Sequence, residues 1–214
     1  MATSQRKSQE QFIQNLTKKS KNGTCLPCRF SPPEIASLLN MFQQLCGSNS
    51  KLDRSSFRDV LMTRFKITDD FIMDRVFRAF DTDNDGYLKA EEWICGLSIF
   101  LKGRMEDRIR YCFCVYDLNG DGYISREEMF HMLKRCLVKQ STEEDPDEGV
   151  KELVEIVLKK LDIDHDGKCS VKDFRTAVEG DSLLLESLGQ CLPCDTLLED
   201  FLQLIHGKLT TKNF

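Results

Sequence analysis

The feature that most constrains this chain is a twelve-residue pattern that occurs three times. Residues 117–128, DLNGDGYISREE, place oxygen-bearing side chains at positions 1, 3, 5, 9 and 12 (Asp117, Asn119, Asp121, Ser125 and Glu128) and glycine at position 6, Gly122. Residues 81–92, DTDNDGYLKAEE, put Asp81, Asp83, Asp85, Gly86 and Glu92 in the same places. Residues 162–173, DIDHDGKCSVKD, repeat it with Asp162, Asp164, Asp166, Gly167 and Ser170 but end in Asp173. Alternate residues of a tightly wound loop all point inward, and glycine reaches the positive φ of the sharp turn cheaply. The donors so gathered are hard oxygens, the set a Ca²⁺ ion takes, with about six to eight ligands at roughly 2.3–2.6 Å.

This is the spacing of the EF-hand calcium loop. The backbone carbonyl at position 7 adds one oxygen, and a position-12 glutamate closes the shell with both of its own. The candidate ligands are therefore Asp81, Asp83, Asp85, Tyr87 and Glu92; Asp117, Asn119, Asp121, Tyr123 and Glu128; and Asp162, Asp164, Asp166, Lys168 and Asp173. Asp173 is one methylene shorter than glutamate and reaches with a single oxygen. That lowers the coordination number and favours Mg²⁺, or weak Ca²⁺ binding, in the last loop. Loops two and three, closed by Glu92 and Glu128, respond to Ca²⁺ first.

Counting back from Asp81 by the 36 residues that separate it from Asp117 lands on Leu45. The segment LCGSNSKLDRSS keeps an apolar position 8, Leu52, and Phe57 follows it as Trp93, Met129 and Phe174 follow the other loops. Leu45, Gly47 and Ser56 leave positions 1, 3 and 12 without a carboxylate. We read a first hand that keeps its scaffold and has lost its metal.

Hands work in pairs, because each leaves an apolar face for its neighbour to cover. The fold class is all-α: two EF-hand lobes, four hands with the first degenerate, a short antiparallel pairing of loops in each lobe, and helices at both termini. The boundaries run 1–29 for a basic N-terminal arm, 30–102 and 103–180 for the lobes, and 181–214 for a C-terminal helical tail. Ser31-Pro32-Pro33-Glu34 has the form of a capping box with proline in the first turn. Thr68 caps the incoming helix of the second hand. The step from Asp117 to Asp162 is 45 residues, and the excess falls in the acidic stretch 139–149, KQSTEEDPDEG, after which Asp145 and Pro146 restart a helix.

Composition narrows the classes. A 214-residue chain with 41% hydrophobic and 30% charged residues is an ordinary globular sequence, and a net charge of −5 gives no reason to expect nucleic acid as a partner. No apolar run is long enough to span a membrane, and the Met-Ala start lacks the glycine of N-myristoylation, so no membrane anchor is expected. Ten cysteines without a secretion signal read as reduced thiols of the cytosol. His131, His165 and His206 have no catalytic partners and no nucleophile motif appears, so an enzyme is not expected.

Three segments carry two readings each. Residues 4–21 set Phe12, Ile13 and Leu16 beside Arg6, Lys7, Lys18, Lys19 and Lys21, either a helix packed on the body or an arm for an acidic surface such as tubulin. Leu198, Phe201, Leu202 and Ile205 form a helical stripe, either permanent core or a built-in mimic of a target helix in the lobe's groove. Two Cys-Leu-Pro-Cys pairs, Cys25/Cys28 and Cys191/Cys194, are either ordinary thiols or the donors of a structural zinc site.

The runs FRAFDTDNDGYLKAEEWICGLSIFLKG, YCFCVYDLNGDGYISREEMFHMLK and EEDPDEGVKELVEIVLKKLDIDHDGK resemble the calaxins, the calcium-binding axonemal EF-hand proteins of cilia and flagella, over roughly residues 55–175. At greater distance the architecture is similar to the neuronal calcium sensors and the calcineurin regulatory subunit. The resemblance implies a Ca²⁺-responsive regulator in the axoneme, within the cytoskeleton of the cilium or flagellum. It would contact dynein heavy chain and outer-arm docking proteins on the doublet microtubule.

Overall fold

The computed structural model describes residues 2–21, 28–135 and 147–207. Its helices are α1 (Ala2–Lys21), α2 (Pro32–Cys46), α3 (Arg54–Phe65), α4 (Asp70–Phe80), α5 (Ala90–Lys102), α6 (Met105–Tyr116), α7 (Arg126–Leu133), α8 (Glu148–Leu161), α9 (Val171–Gly180) and α10 (Asp195–Ile205). Two short strands, β1 (Tyr123–Ile124) and β2 (Cys169–Ser170), and a 3₁₀ turn at Ser182–Glu186 complete it. The chain divides into two compact units, Met1–Arg104 with Pro193–Phe214, and Met105–Leu192.

In the first unit the silent loop and loop two pair through one antiparallel bridge. Leu52 N–H donates to Leu88 O at 2.9 Å and Leu88 N–H to Leu52 O at 2.8 Å. Both leucines occupy position 8 and both are fully buried. The residue that follows each loop anchors the core: Phe57 packs its ring against Phe77 (5.7 Å between centroids), Phe80 (5.0 Å) and Trp93 (6.2 Å). Gly96 on α5 is where Phe80 comes closest, and a Cβ there would run into that ring.

Helix α2 starts as its sequence predicts, with Glu34 Oε2 accepting from the Ser31 backbone N–H and hydroxyl, both at 2.8 Å. Its other oxygen has partners that only the tertiary fold supplies. Lys102 Nζ donates to Glu34 Oε1 at 2.6 Å, and His206 Nε2, just past α10, lies 2.8 Å from the same oxygen. Burial pushes the Glu34 carboxyl up, but these hydrogen bonds outweigh it and hold the group down at about 2 from an ordinary 4.5. Helix α10 lies on α2 and α3, burying Phe201, Leu204 and Ile205, with Phe201 4.9 Å from the ring of Phe65. Helix α1 also contacts α2, and its Leu16 is buried.

The second unit repeats the plan. Strands β1 and β2 pair antiparallel, Ile124 opposite Cys169, and these position-8 residues are again fully buried. Phe174 packs against Phe113 (5.9 Å) and Tyr116 (6.2 Å). The segment after α9 folds back on α6, held by Tyr116 Oη donating to Gly189 O at 2.7 Å and Tyr111 Oη donating to Cys191 O at 3.1 Å.

Several details differ from the sequence expectations. The tail placed at 181–214 is divided: residues to Leu192 belong with the second unit and α10 with the first. The N-cap of α4 is Asp69, not Thr68, its carboxylate accepting from Ile72 N–H at 2.9 Å. Helix α8 begins at Glu148 with Asp147 before it, while Asp145, Pro146 and most of the acidic stretch lie outside the described residues.

Two stability effects follow. Phe201→Ala should lower unfolding free energy by about 3–5 kcal/mol in urea titration, as loss of a buried ring does. Glu34→Gln should cost about 3 kcal/mol at neutral pH, because a carboxyl held below its unfolded value stabilises the fold above that value. The gap between wild type and Glu34→Gln should be full above pH 4.5 and close as the pH falls to about 2; a gap independent of pH in that window would contradict the assignment.

Candidate metal centre

Each loop wraps its acidic side chains around its own N–H groups in the same order. At position 1, Asp81 accepts from Asp85 and Gly86 N–H at 3.1 and 2.9 Å, Asp117 from Gly120 and Gly122 at 2.7 and 2.9 Å, and Asp162 from Asp166 and Gly167 at 3.2 and 2.9 Å. At position 3, Asp83, Asn119 and Asp164 each use Oδ1 on the N–H two residues on. Position 5 repeats this with Asp85, Asp121 and Asp166 on Tyr87, Tyr123 and Lys168 N–H. Gly86, Gly122 and Gly167 take φ of 82°, 85° and 90°, a region that glycine alone enters without strain.

Positions 1 and 12 are buried and positions 3 and 5 are exposed. Asp81, Glu92, Asp117, Glu128, Asp162 and Asp173 are 4–9% exposed, and together they make up six of the eight buried charged side chains among the described residues. A buried carboxylate is costly unless opposite charge or hydrogen bonds meet it. Glu128 Oε1 accepts from Leu118 and Asn119 N–H at 2.8 and 3.1 Å, while Oε2 accepts from Ser125 N–H at 2.8 Å. Glu92 likewise spans from Thr82 and Asp83 N–H at 2.9 and 3.3 Å to Lys89 N–H at 2.9 Å. Each glutamate thus ties the head of its loop to the first turn of the outgoing helix. Asp173 accepts from Ser170, and among the described residues it makes no bond to the head of loop four.

The donor set fits a divalent cation. Ligand oxygens of Asp81, Asp83 and Asp85 lie within 4.8 Å of one another, as do those of Asp162, Asp164 and Asp166. Loop three places Asn119 where the others have aspartate, so its donors carry one negative charge fewer. The Tyr87 and Tyr123 side chains are exposed, which leaves the backbone carbonyl as the donor at position 7. His165, at position 4, is exposed with φ of 61°, a turn residue.

Two lysines near loop two were not foreseen. Lys51, position 7 of the silent loop, donates to Asp85 Oδ2 at 2.7 Å, and Lys89, position 9 of loop two, pairs with Asp83 Oδ2 and with Asp85 Oδ2 at 3.0 Å. The Lys51 hydrogen bond lowers the Asp85 carboxyl, and the same bond raises the lysine. Aligning the silent loop with loop two by position would have found this pair, since with positions 8 paired antiparallel, position 7 of one loop stands opposite position 9 of the other.

Cys191 is buried with its Sγ 3.4 Å from that of Cys112, Cys194 is exposed beside Thr196, and Cys25 lies outside the described residues. Burial pushes the Cys112 thiol well up, and Cys169, at position 8, up to about 12, so both stay protonated.

An EF-hand domain pair model matches residues 106–179, and an EF-hand domain model matches residues 72–102. Calaxin from Xenopus laevis is 55% identical over 185 residues, covering 84% of this chain and 89% of that protein. Calaxin from Homo sapiens is 52% identical over 194 residues, covering 88% and 89%. Guanylyl cyclase-activating protein 1 from Lithobates pipiens is 33% identical over 120 residues, covering 56% and 58%. No helix among the described residues is long and apolar enough to cross a membrane. With three acidic loops built alike and a match that spans most of both chains, the chain belongs to the calaxin family of EF-hand proteins and is a calcium-binding regulator, not an enzyme.

Proposed function

We propose that this protein is a Ca²⁺ sensor of motile cilia and flagella that binds outer-arm dynein heavy chain and its docking proteins and adjusts the motor as Ca²⁺ changes. Family membership supports the setting in the axoneme. The observation that carries the sensor reading is the position of Glu92 and Glu128, buried in the first turns of α5 and α7 and spanning to the heads of their loops. Bound Ca²⁺ supplies two positive charges and a demand for six to eight oxygens. To meet it, each glutamate gives up N–H partners it now holds, and the first turn of its helix moves with it. Swinging outgoing helices uncover apolar surface of the kind that takes an amphipathic target helix.

The fourth loop plays a different part. Asp173 bonds only locally, so this hand favours Mg²⁺ or weak Ca²⁺ and holds the lobe together at rest. The exposed Lys7 and Lys18 of α1 suit a contact with the acidic surface of tubulin. A second reading, a constitutive structural subunit, draws on α10, which already covers apolar surface of the first unit. A regulator of another target, of the neuronal-sensor type, draws on the likeness to guanylyl cyclase-activating protein 1.

Calorimetric titration of the metal-free chain with Ca²⁺ should show two sites of roughly micromolar affinity that persist in millimolar Mg²⁺. A fragment of outer-arm dynein heavy chain should bind more tightly in Ca²⁺ than in EGTA. Equal binding in both would favour the structural subunit. Asp173→Glu should strengthen Ca²⁺ binding at loop four by about tenfold, the effect of roughly 1.4 kcal/mol from a second carboxylate oxygen; an unchanged affinity there would refute the single-oxygen account.

A further inference from the structure

The silent first hand has no carboxylate at positions 1, 3, 5 or 12, and its Asp53 at position 9 caps α3 instead, yet the hand contributes a charge to its partner's site. Position 7 of loop one is Lys51, which the antiparallel Leu52–Leu88 bridge sets opposite Lys89, position 9 of loop two, and diagonal to Tyr87, position 7 of loop two. The Lys51 ammonium stands 5.6 Å from the Tyr87 ring centre and 2.7 Å from Asp85 Oδ2. The carboxylates of Asp83 and Asp85 have each committed Oδ1 to a loop N–H, so Oδ2 is the oxygen left for a metal. On Asp85 that oxygen is held by Lys51 and Lys89 together, and on Asp83 by Lys89.

The second unit provides an internal contrast. Its paired loops also set a lysine against a tyrosine at position 7, but Lys168 lies over the Tyr123 ring at 4.5 Å. Among the described residues Lys168 forms no ion pair with Asp121, whose Oδ2 instead accepts from Asn119 Nδ2 at 3.0 Å. Loop three therefore offers its position-5 carboxylate free of ammonium, while loop two does not.

We infer that Lys51 of the silent hand is a tethered cation that competes with Ca²⁺ for Asp85 and sets loop two to fill after loop three. The first hand is thus an electrostatic regulator of the second as well as its scaffold. The ammonium stays protonated throughout, so the competition is an exchange of one cation for another, and added salt weakens it. This ordering refines the sensor reading: loop three answers first and loop two reports higher Ca²⁺. It rests on loop two being a calcium site.

The test is a Ca²⁺ titration of the full chain labelled with ¹⁵N-glycine, following the Gly86 amide for loop two and the Gly122 amide for loop three. In wild type the Gly122 midpoint should come at lower Ca²⁺ than the Gly86 midpoint. Lys51→Met should move the Gly86 midpoint to about three- to tenfold lower Ca²⁺ and leave Gly122 where it was. Lys51→Arg, which keeps the charge, should behave as wild type. The Lys51→Met effect should shrink as KCl is raised from about 20 mM to about 500 mM. Equal Gly86 midpoints in wild type and Lys51→Met, or a shift in Lys51→Arg as large as in Lys51→Met, would overturn the inference. A Gly86 amide that never responds while Gly122 titrates would instead overturn loop two as a calcium site, and the inference with it.

Discussion

The short antiparallel pairing between neighbouring loops is the constraint on which everything else in each unit depends. It is small, a pair of backbone hydrogen bonds at Leu52 and Leu88 in the first unit and a two-residue ladder in the second. Four position-8 side chains, Leu52, Leu88, Ile124 and Cys169, are wholly buried behind it, and the four residues that follow the loops are at most 1% exposed. Buried backbone groups left unpaired are expensive. Loop two could not keep Leu88 where it is without the N–H and carbonyl of Leu52. A hand that has lost its metal is therefore not dispensable: its strand completes the partner's backbone and its Phe57 sits at the centre of the aromatic cluster.

Two kinds of buried carboxylate divide structure from function. Glu34 is met by a cation of the chain itself, Lys102, together with His206 and Ser31. That arrangement is complete, and it holds α2, α5 and α10 together. The carboxylates at positions 1 and 12 of the loops are met, among the bonds described, by backbone N–H groups and hydroxyls. Partial positive charges of that kind organise the oxygens without neutralising them. The loops are preorganised for a cation, and the Glu34 site is not.

The loops were legible in the sequence because their chemistry resides in side chains at fixed spacing over twelve residues. Even the silent loop showed itself, through Leu52 and Phe57, because position 8 and the residue after the loop serve packing and outlast the ligands. The convergence of Ser31, Glu34, Lys102 and His206 was not legible, since it joins residues 68 and 172 apart in the chain. Glu34 read only as a local cap. The stripe Leu198, Phe201, Leu202 and Ile205 announced an amphipathic helix, but an apolar face does not name the surface that covers it, and Phe65 proved to be its neighbour. Thr68 and Asp69 are both good caps, and the choice between them turned on which oxygen met Ile72 N–H.

The first unit is assembled from the two extremes of the chain, with the whole second unit inserted between Arg104 and Pro193. On the ribosome, where segments become available in order, the contiguous second unit has all its parts before the first does. Phe65 and the side of α2 that α10 covers must wait for α10, which is made after the whole second unit. A premature stop codon or a proteolytic clip after Leu192 would therefore do its damage far back along the sequence, baring the aromatic surface around Phe65 while leaving the metal loops of the second unit whole.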